Sequence, residues 1–188
     1  MYRKYCIATL MAILAGCLSV PEPNYFTLDM RSSGRIDAPF AVEEVRIRPG
    51  EAVARREIMI RTSPTQIEYY ATQRWAADLG EQLSEKLKTE FSQSQGEKAR
   101  VWIEGDLLAF EQVDTRDGAD AHLKLDLVVT LKSENGDTSR SFRKVYETVV
   151  TADAPNAPAI VEALSRGLES IAVELAEDLA REHREQVQ

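Results

Sequence analysis

The hydrophobic positions of this chain change period several times, and each change marks an element. Across residues 40–48, Val45 and Ile47 alternate with Arg46 and Arg48. That period of two puts one row of side chains in a core and the other in water, and it predicts a half-buried strand. Pro49-Gly50 ends it. Residues 25–30, "YFTLDM", predict an earlier strand, followed by a loop containing Ser32-Ser33-Gly34. Residues 57–61 predict a third strand that stops at Ser63-Pro64, and residues 66–70 a fourth. The period then lengthens. Trp75, Leu79, Leu83, Leu87 and Phe91 recur every four residues, the spacing of one helical face. Asp78, Glu81, Glu85, Lys86 and Lys88 cover the rest of that helix.

Three longer strands follow. The first spans residues 99–113, with Gly105 expected at a bulge. In the second, Leu123, Leu125, Leu127, Val129 and Leu131 alternate with His122, Lys124, Asp126 and Thr130. Asn135-Gly136 predicts a hairpin turn into the third strand, residues 139–151. A polar hairpin at residues 114–120 joins the first pair, so the three form an antiparallel meander. After Pro155 and Pro158, Ile160, Leu164, Leu168, Ile171, Leu175 and Leu179 repeat at three and four residues and predict a long amphipathic helix to about His183. Strands, helix, strands, helix reads as α+β: an antiparallel sheet with two amphipathic helices packed on one face.

The N-terminus is of another kind. Arg3 and Lys4 precede an uncharged, mostly apolar run, residues 5–15. This is the layout of a secretory signal, and the run falls short of the roughly 20 apolar residues that span a bilayer. It ends in Leu14-Ala15-Gly16-Cys17. That tetrapeptide resembles the lipobox of bacterial lipoproteins, in which the cysteine is acylated and the chain is cut just before it. The resemblance implies a signal at residues 1–16, a lipidated tether at 17–24 and one domain at 25–185. The residues after Cys17 are Leu18 and Ser19. The lack of an aspartate there implies, again by resemblance, retention at the outer membrane rather than the inner. Two acyl chains hold a protein at a membrane where one does so only marginally, at about 0.8 kcal/mol per buried CH₂. Cys6 lies inside the signal, so the domain has no thiol for a disulfide and must hold by its core.

The charge sharpens this picture. The chain carries 31 acidic against 23 basic residues, a formal net charge of −8. An excess of negative charge disfavours nucleic acid and anionic headgroups alike. The hydrophobic share of 44% supports a packed core.

No catalytic constellation stands out. The two histidines, His122 and His183, sit on the polar face of a strand and near a helix end, and read as solvated surface residues. Glu104 and Asp106 share a strand face but read as solvated charge. Asp114, Asp117 and Asp120 do not have the spacing of a calcium loop. No cofactor, metal site or nucleic-acid partner is expected. One stretch is denser in chemistry: "IRTSPTQIEYYATQRWA", residues 60–76. It crowds two tyrosines, an arginine and a tryptophan at a strand-to-helix junction. Such rings close core corners, and they also supply interface hot spots. Trp75 is expected in the core. Tyr69, Tyr70 and Arg74 are the candidate partner-binding residues, within an expected contact surface of residues 61–73.

Lipobox, "YFTLD", the tyrosine–arginine–tryptophan junction and "LLAFEQV" before the polar hairpin are together similar to the ABC-type transport auxiliary lipoproteins, the PqiC-like group. The resemblance runs over the whole chain after the signal. It implies a non-enzymatic, outer-membrane-anchored periplasmic accessory of a lipid transport system of the mammalian-cell-entry (MCE) type. The implied partners are an MCE-domain protein and its ABC transporter, with a homo-oligomer open. The alternatives are an assembly lipoprotein that binds a β-barrel and an envelope hydrolase. Replacing Cys17 by Ala should release the protein from the membrane pellet on cell fractionation. A variant that stays in the pellet as the wild type does contradicts the lipid anchor.

Overall fold

The computed structural model describes residues 21–30, 40–91, 99–132 and 139–187 of the chain. The expected signal, Cys17, the Ser32-Ser33-Gly34 loop and the Asn135-Gly136 turn lie outside the described residues. The elements are β1 (Asn24–Phe26), β2 (Phe40–Pro49), β3 (Glu57–Ser63), β4 (Gln66–Trp75), α1 (Leu79–Glu90), β5 (Ala99–Asp114), β6 (Ala119–Lys132), β7 (Ser139–Thr151) and α2 (Ala157–Val187). The architecture is α+β, one sheet of seven strands with two helices. No helix among the described residues is long and apolar enough to cross a membrane.

The sheet is mixed rather than antiparallel throughout. β5, β6 and β7 form the expected antiparallel meander, and β3 and β4 a hairpin. β2 and β3, however, both run parallel to β5, and β1 runs parallel to β4. The pattern of apolar residues along a strand says which face is buried, not which neighbour the strand finds. β2 meets β5 from Phe40↔Ala99 to Pro49↔Leu107, and β3 takes the same edge from Met59↔Glu111 to Arg61↔Val113. A parallel pair needs a crossover connection. Here the β3–β4 hairpin and α1 supply it.

One row of side chains holds the layers together. Leu123, Leu125, Leu127, Val129 and Leu131 of β6 are buried against the helix layer, as their alternation predicts. The facing row on α2 is Ile160, Leu164, Leu168, Ile171, Leu175 and Leu179, all buried. Gly167 lets α2 come close to β6 and β7, since an added Cβ would touch Thr148, Val150 and Leu123. A polar node locks the far end of that contact. The Tyr146 hydroxyl donates to Asp178 at 2.9 Å, and Lys144 reaches the same carboxylate at 2.6 Å. Burial, then the bond to the Asp178 carboxylate, push the Tyr146 hydroxyl pKa well up, so it stays a donor throughout the physiological range.

α1 seals the other edge of β2. Its start is set by Asp78, whose side chain accepts the Glu81 backbone N–H at 3.1 Å. The Ile47 N–H donates to Ser84 Oγ at 3.0 Å, and Lys88 Nζ donates to the Glu43 carbonyl at 2.9 Å. Those bonds occupy strand-edge groups that would otherwise template aggregation. The segment after β1 threads between the helices: the Leu28 N–H donates to Gln82 Oε1 and the Asp29 N–H to Ser165 Oγ. Residues 27–30 therefore do not continue the expected first strand, but Leu28 and Met30 are still buried.

Two expectations shift in place. Gly105 is not the bulge; the register of β5 against β6 slips between Leu107 and Ala109. Gly105 is needed for close approach, because a Cβ there would run into the Asp126 carbonyl and Leu127. Trp75 is the last residue of β4 rather than the head of the helix. Its N–H donates to the Arg56 carbonyl at 2.7 Å, which holds it extended. The every-four spacing runs through it because strand end and helix face the same core. Trp75 is 1% exposed, and its ring lies 5.3 Å from that of Phe110 at a 56° tilt. Trp75→Ala should cost about 3–5 kcal/mol, as large truncations in cores do. A Tm lowered by about 10 °C in thermal melting is the expected readout for a chain of this size. An unshifted Tm removes Trp75 from the set of core anchors.

Candidate functional site

The junction stretch that the sequence singled out is β4, a ten-residue strand near the edge of the sheet. Adjacent strand residues point to opposite faces, and this separates the three candidate partner-binding residues. Tyr69 pairs with Met59, which is in register with Glu111, on the face away from the helices. Its hydroxyl donates to the Ala52 carbonyl at 2.9 Å, and the Arg55 guanidinium sits 4.7 Å from its ring centroid. Tyr70 points to the helix side and donates to Gln112 Oε1 at 2.6 Å. Arg74 pairs with Glu57 at 3.3 Å. All three are partly exposed, so each offers some surface, but they do not form one patch.

Tyr70 instead belongs to a groove. The helix layer does not extend over the β1–β4 end of the sheet. There Asn24, Tyr25, Phe26, Tyr70 and Gln73 face the start of α2, and a hollow of about 580 Å³ opens between them. Phe26 and Pro158 also line a second hollow of about 610 Å³, which continues along α2 past Asp29, Val161, Glu162 and Arg166 to Glu169. Both volumes lie in the range of about 300–1,000 Å³ typical of ligand sites. Tyr25 is 57% exposed at the mouth. Its exposure is the feature the sequence could not announce, since an aromatic at a strand start reads as core.

The helix-free face carries the other concentration of chemistry. Past the register slip in β5, Glu111 turns to this face, yet it is only 1% exposed. Its Oε1 accepts from Arg61 Nε at 2.8 Å and lies 3.3 Å from His122 Nδ1, while Oε2 is buried without a partner. His122 Nε2 is 2.8 Å from Glu147 Oε1, and Lys124 holds Glu147 Oε2 at 2.8 Å. The cluster ties β3, β5, β6 and β7 together.

His122 is thus no solvated surface residue; its side chain is 20% exposed and sits between two carboxylates. Periodicity placed it on the polar face correctly but could not tell that Glu111 would face it from the next strand. The hydrogen bond to Glu111 and then that to Glu147 raise the His122 pKa against the cost of burial. Burial alone would push the Glu111 carboxyl up, but the bonds from His122 and Arg61 outweigh it and hold it below its ordinary value. Other charged residues of this face pair as well: Arg48 with Asp106 at 3.2 Å, Arg46 with Glu104 at 3.6 Å, and Arg143 with Asp126 through a two-bond fork at 2.9 and 2.6 Å.

Glu104 and Asp106 stand in these exposed ion pairs. Asp114, Asp117 and Asp120 lie at the tight β5–β6 turn, which the Thr115 N–H closes by donating to the Gly118 carbonyl at 3.0 Å. His183 lies within α2, which runs on to Val187.

Comparison with known proteins adds a family to this geometry. A family model described as "ABC-type transport auxiliary lipoprotein component" matches residues 30–176. No curated protein sequence matches the chain. Among solved structures, the chain is similar to protein XCC0632 from Xanthomonas campestris, of the DUF330 family. The identity is 16% and the TM-score 0.63, over 88% of this chain and 99% of that one. It is also similar to an uncharacterized protein of known crystal structure, at 13% identity and a TM-score of 0.58, over 85% of this chain and 99% of the other. At these identities the likeness is one of fold.

The Glu111–His122 cluster makes stability depend on pH. Only the imidazolium donates at both ring nitrogens; the neutral ring leaves one carboxylate against a lone pair. His122's folded pKa lies above the ordinary 6.5, so its contribution is complete below that value and is lost as the pH rises through the raised one. Glu111's lies below the ordinary 4.5; its contribution is present above that value and is lost as the pH falls through the lowered one. The Tm of the purified lipoprotein should therefore fall on going from pH 6 to pH 9, by about 2–4 °C for each kcal/mol lost. His122→Gln should flatten that slope. An equal slope in the variant places the pH dependence elsewhere.

Proposed function

We propose a function that proceeds from one premise: this chain belongs to the ABC-type transport auxiliary lipoprotein component family. A family of that description serves an ABC transport system and is held at a membrane of the cell envelope. Within that frame, the protein acts without chemistry. It is acylated at Cys17, sits on the periplasmic face of the outer membrane, and holds an MCE-type lipid conduit against that membrane. Its partners are the conduit's MCE-domain protein and, through it, the inner-membrane ABC transporter.

The family match carries this reading, and three observations support it. The lipobox supplies an anchor. Six residues lie between Cys17 and the start of β1 at Asn24, and the seven steps from Cys17 to Asn24 reach at most about 25 Å. The anchor therefore keeps the β1–β4 end of the sheet close to the membrane. Finally, the two densest polar clusters among the described residues tie elements together: Glu111 with Arg61 and His122 across strands, and Asp178 with Tyr146 and Lys144 between α2 and β7.

Tyr69, Tyr70 and Arg74 remain the proposed contact residues. Tyr70 acts from the wall of the groove, and the other two from the helix-free side of the same edge. The test is to isolate the cell envelope with the tagged full-length protein under crosslinking. An MCE-domain protein among the partners, and altered outer-membrane permeability in a deletion strain, are expected. Recovery of no such protein, with permeability unchanged, contradicts the transport reading.

A further inference from the structure

The sheet has two ends, β1 and β7, and they are unlike. We infer that β7 pairs antiparallel with β7 of a second copy of this chain, about a twofold axis through Val145. The inference goes beyond the transport reading and uses none of its partners.

β1 offers an edge of three residues, and β7 one of thirteen. Among the described residues β7 pairs with β6 and with no other strand, in one unbroken register from Ser139 to Thr151. The strand holds no proline and no glycine, and no bulge turns its edge aside. Its cations are occupied elsewhere: Lys144 is tied to Glu174 and Asp178 of α2, and Arg140 to Glu182 and Glu185. A long edge without the usual guards is a template for another strand.

The occupant follows from the register. Side chains alternate between faces along a strand, and outward-pointing backbone groups alternate with them. Two copies of one strand can therefore pair about a twofold axis only if the axis passes through a residue. An axis through Val145 alone overlaps all thirteen residues, since Ser139 then meets Thr151. The charges favour the same register. An axis through Arg143 or Glu147 sets like charge against like, which destabilises. An axis through Lys144 or Tyr146 sets Arg143 against a valine. With the axis at Val145, that half-exposed valine meets its own copy. Arg143 of each copy then meets Glu147 of the other.

Both charged groups keep the partners they have. Arg143 holds Asp126 through Nε and Nη2, which leaves Nη1 to reach across. Glu147 stays beside His122 and Lys124. The row Asp126, Arg143, Glu147, Lys124 alternates in sign across the two copies, so the interface draws on no uncompensated charge. The helix layer fits as well. Gly167 of α2 lies against Leu123 of β6 and against Thr148 and Val150 of β7, so α2 rests over that strand pair. Two such helices stand two strand spacings apart, about 10 Å, which is close to the roughly 8–10 Å of packed helices.

Disulfide trapping in the cell envelope tests this. Val145→Cys in the full-length lipoprotein places two thiols across the axis, where directly opposed Cβ atoms lie about 4.5–5.5 Å apart. Mild oxidation should link it as a dimer on a non-reducing gel, and the wild type should give no such band. Val149 meets Ser141 of the other copy, so its own two copies lie about 26 Å apart along the joined strands. Val149→Cys should therefore not link to itself, whereas Ser141→Cys mixed with Val149→Cys should link. Sedimentation of the purified full-length protein in detergent gives a readout without the thiol. The wild type should sediment as a dimer. Val145→Lys sets two ammonium groups on the axis at an exposed position. It should weaken the dimer at least tenfold and keep the wild-type circular dichroism spectrum. A wild type that stays monomeric, a dimer indifferent to Val145→Lys, or equal self-linking at Val145 and Val149 overturns the proposal. An MCE-domain protein can be recovered from the envelope with either result, so the two readings fail separately.

Discussion

Everything in this fold is arranged on one strand. β5 is 16 residues long, and its two edges do different work. One edge carries β6 along almost its whole length. The other is shared end to end by β2 and β3, both parallel to it. Because two strands divide one edge, the chain between them must leave the sheet, and it does so at Pro49-Gly50. The Gly50 N–H donates to the Leu107 carbonyl at 3.0 Å, next to the point where β5 slips register against β6. The slip turns β5's side chains over, so that Phe110 faces the core beside Trp75 while Glu111 faces away. A strand without the slip would have put a carboxylate under the helices.

The sheet consequently has two unlike faces. The helix side is closed by the leucine rows of β6 and α2 and by the Phe40–Phe91 contact, with ring centroids 5.9 Å apart. Burial there supplies the stability that a domain without disulfides needs, at roughly 25 cal/mol per Å² of apolar surface. The other side is a field of cross-strand ion pairs, each of small worth when exposed. The exception is the buried Glu111, whose charge is tolerable only because Arg61 and His122 meet it. The groove opens where the helical layer stops short of the β1–β4 edge.

How much of this could be read beforehand depended on range. The alternation in β6, the helical spacing in α2 and the polar β5–β6 turn were legible, because each is a property of consecutive residues. Trp75 was legible as a core residue and illegible as a strand end, since its spacing to Leu79 fits a helix as well as it fits two elements facing one core. Residues 71–75 of β4 have no clean alternation, because β4 is irregular against β3 between the Met59↔Tyr69 and Glu57↔Arg74 pairs. The grouping of Tyr69, Tyr70 and Arg74 was legible as chemistry, but their split between two faces was not.

The sequence by itself determined which residues are inside, which class of fold results, and that no familiar catalytic motif is present. Its lipobox and junction also pointed to the family. Those are consequences of local period, capping residues and short motifs, which a chain carries with it before it folds. Tertiary structure alone decided that the sheet is mixed, that Glu111 and His122 meet although they lie on different strands, and that a groove opens between β1 and α2. The physical reason is that these features join residues far apart in the chain: Asp29 to Ser165, Arg61 to Glu111, Tyr70 to Gln112. Which of many compatible apolar faces come together is settled by the packing of the whole core, and polar neighbours are placed by that choice.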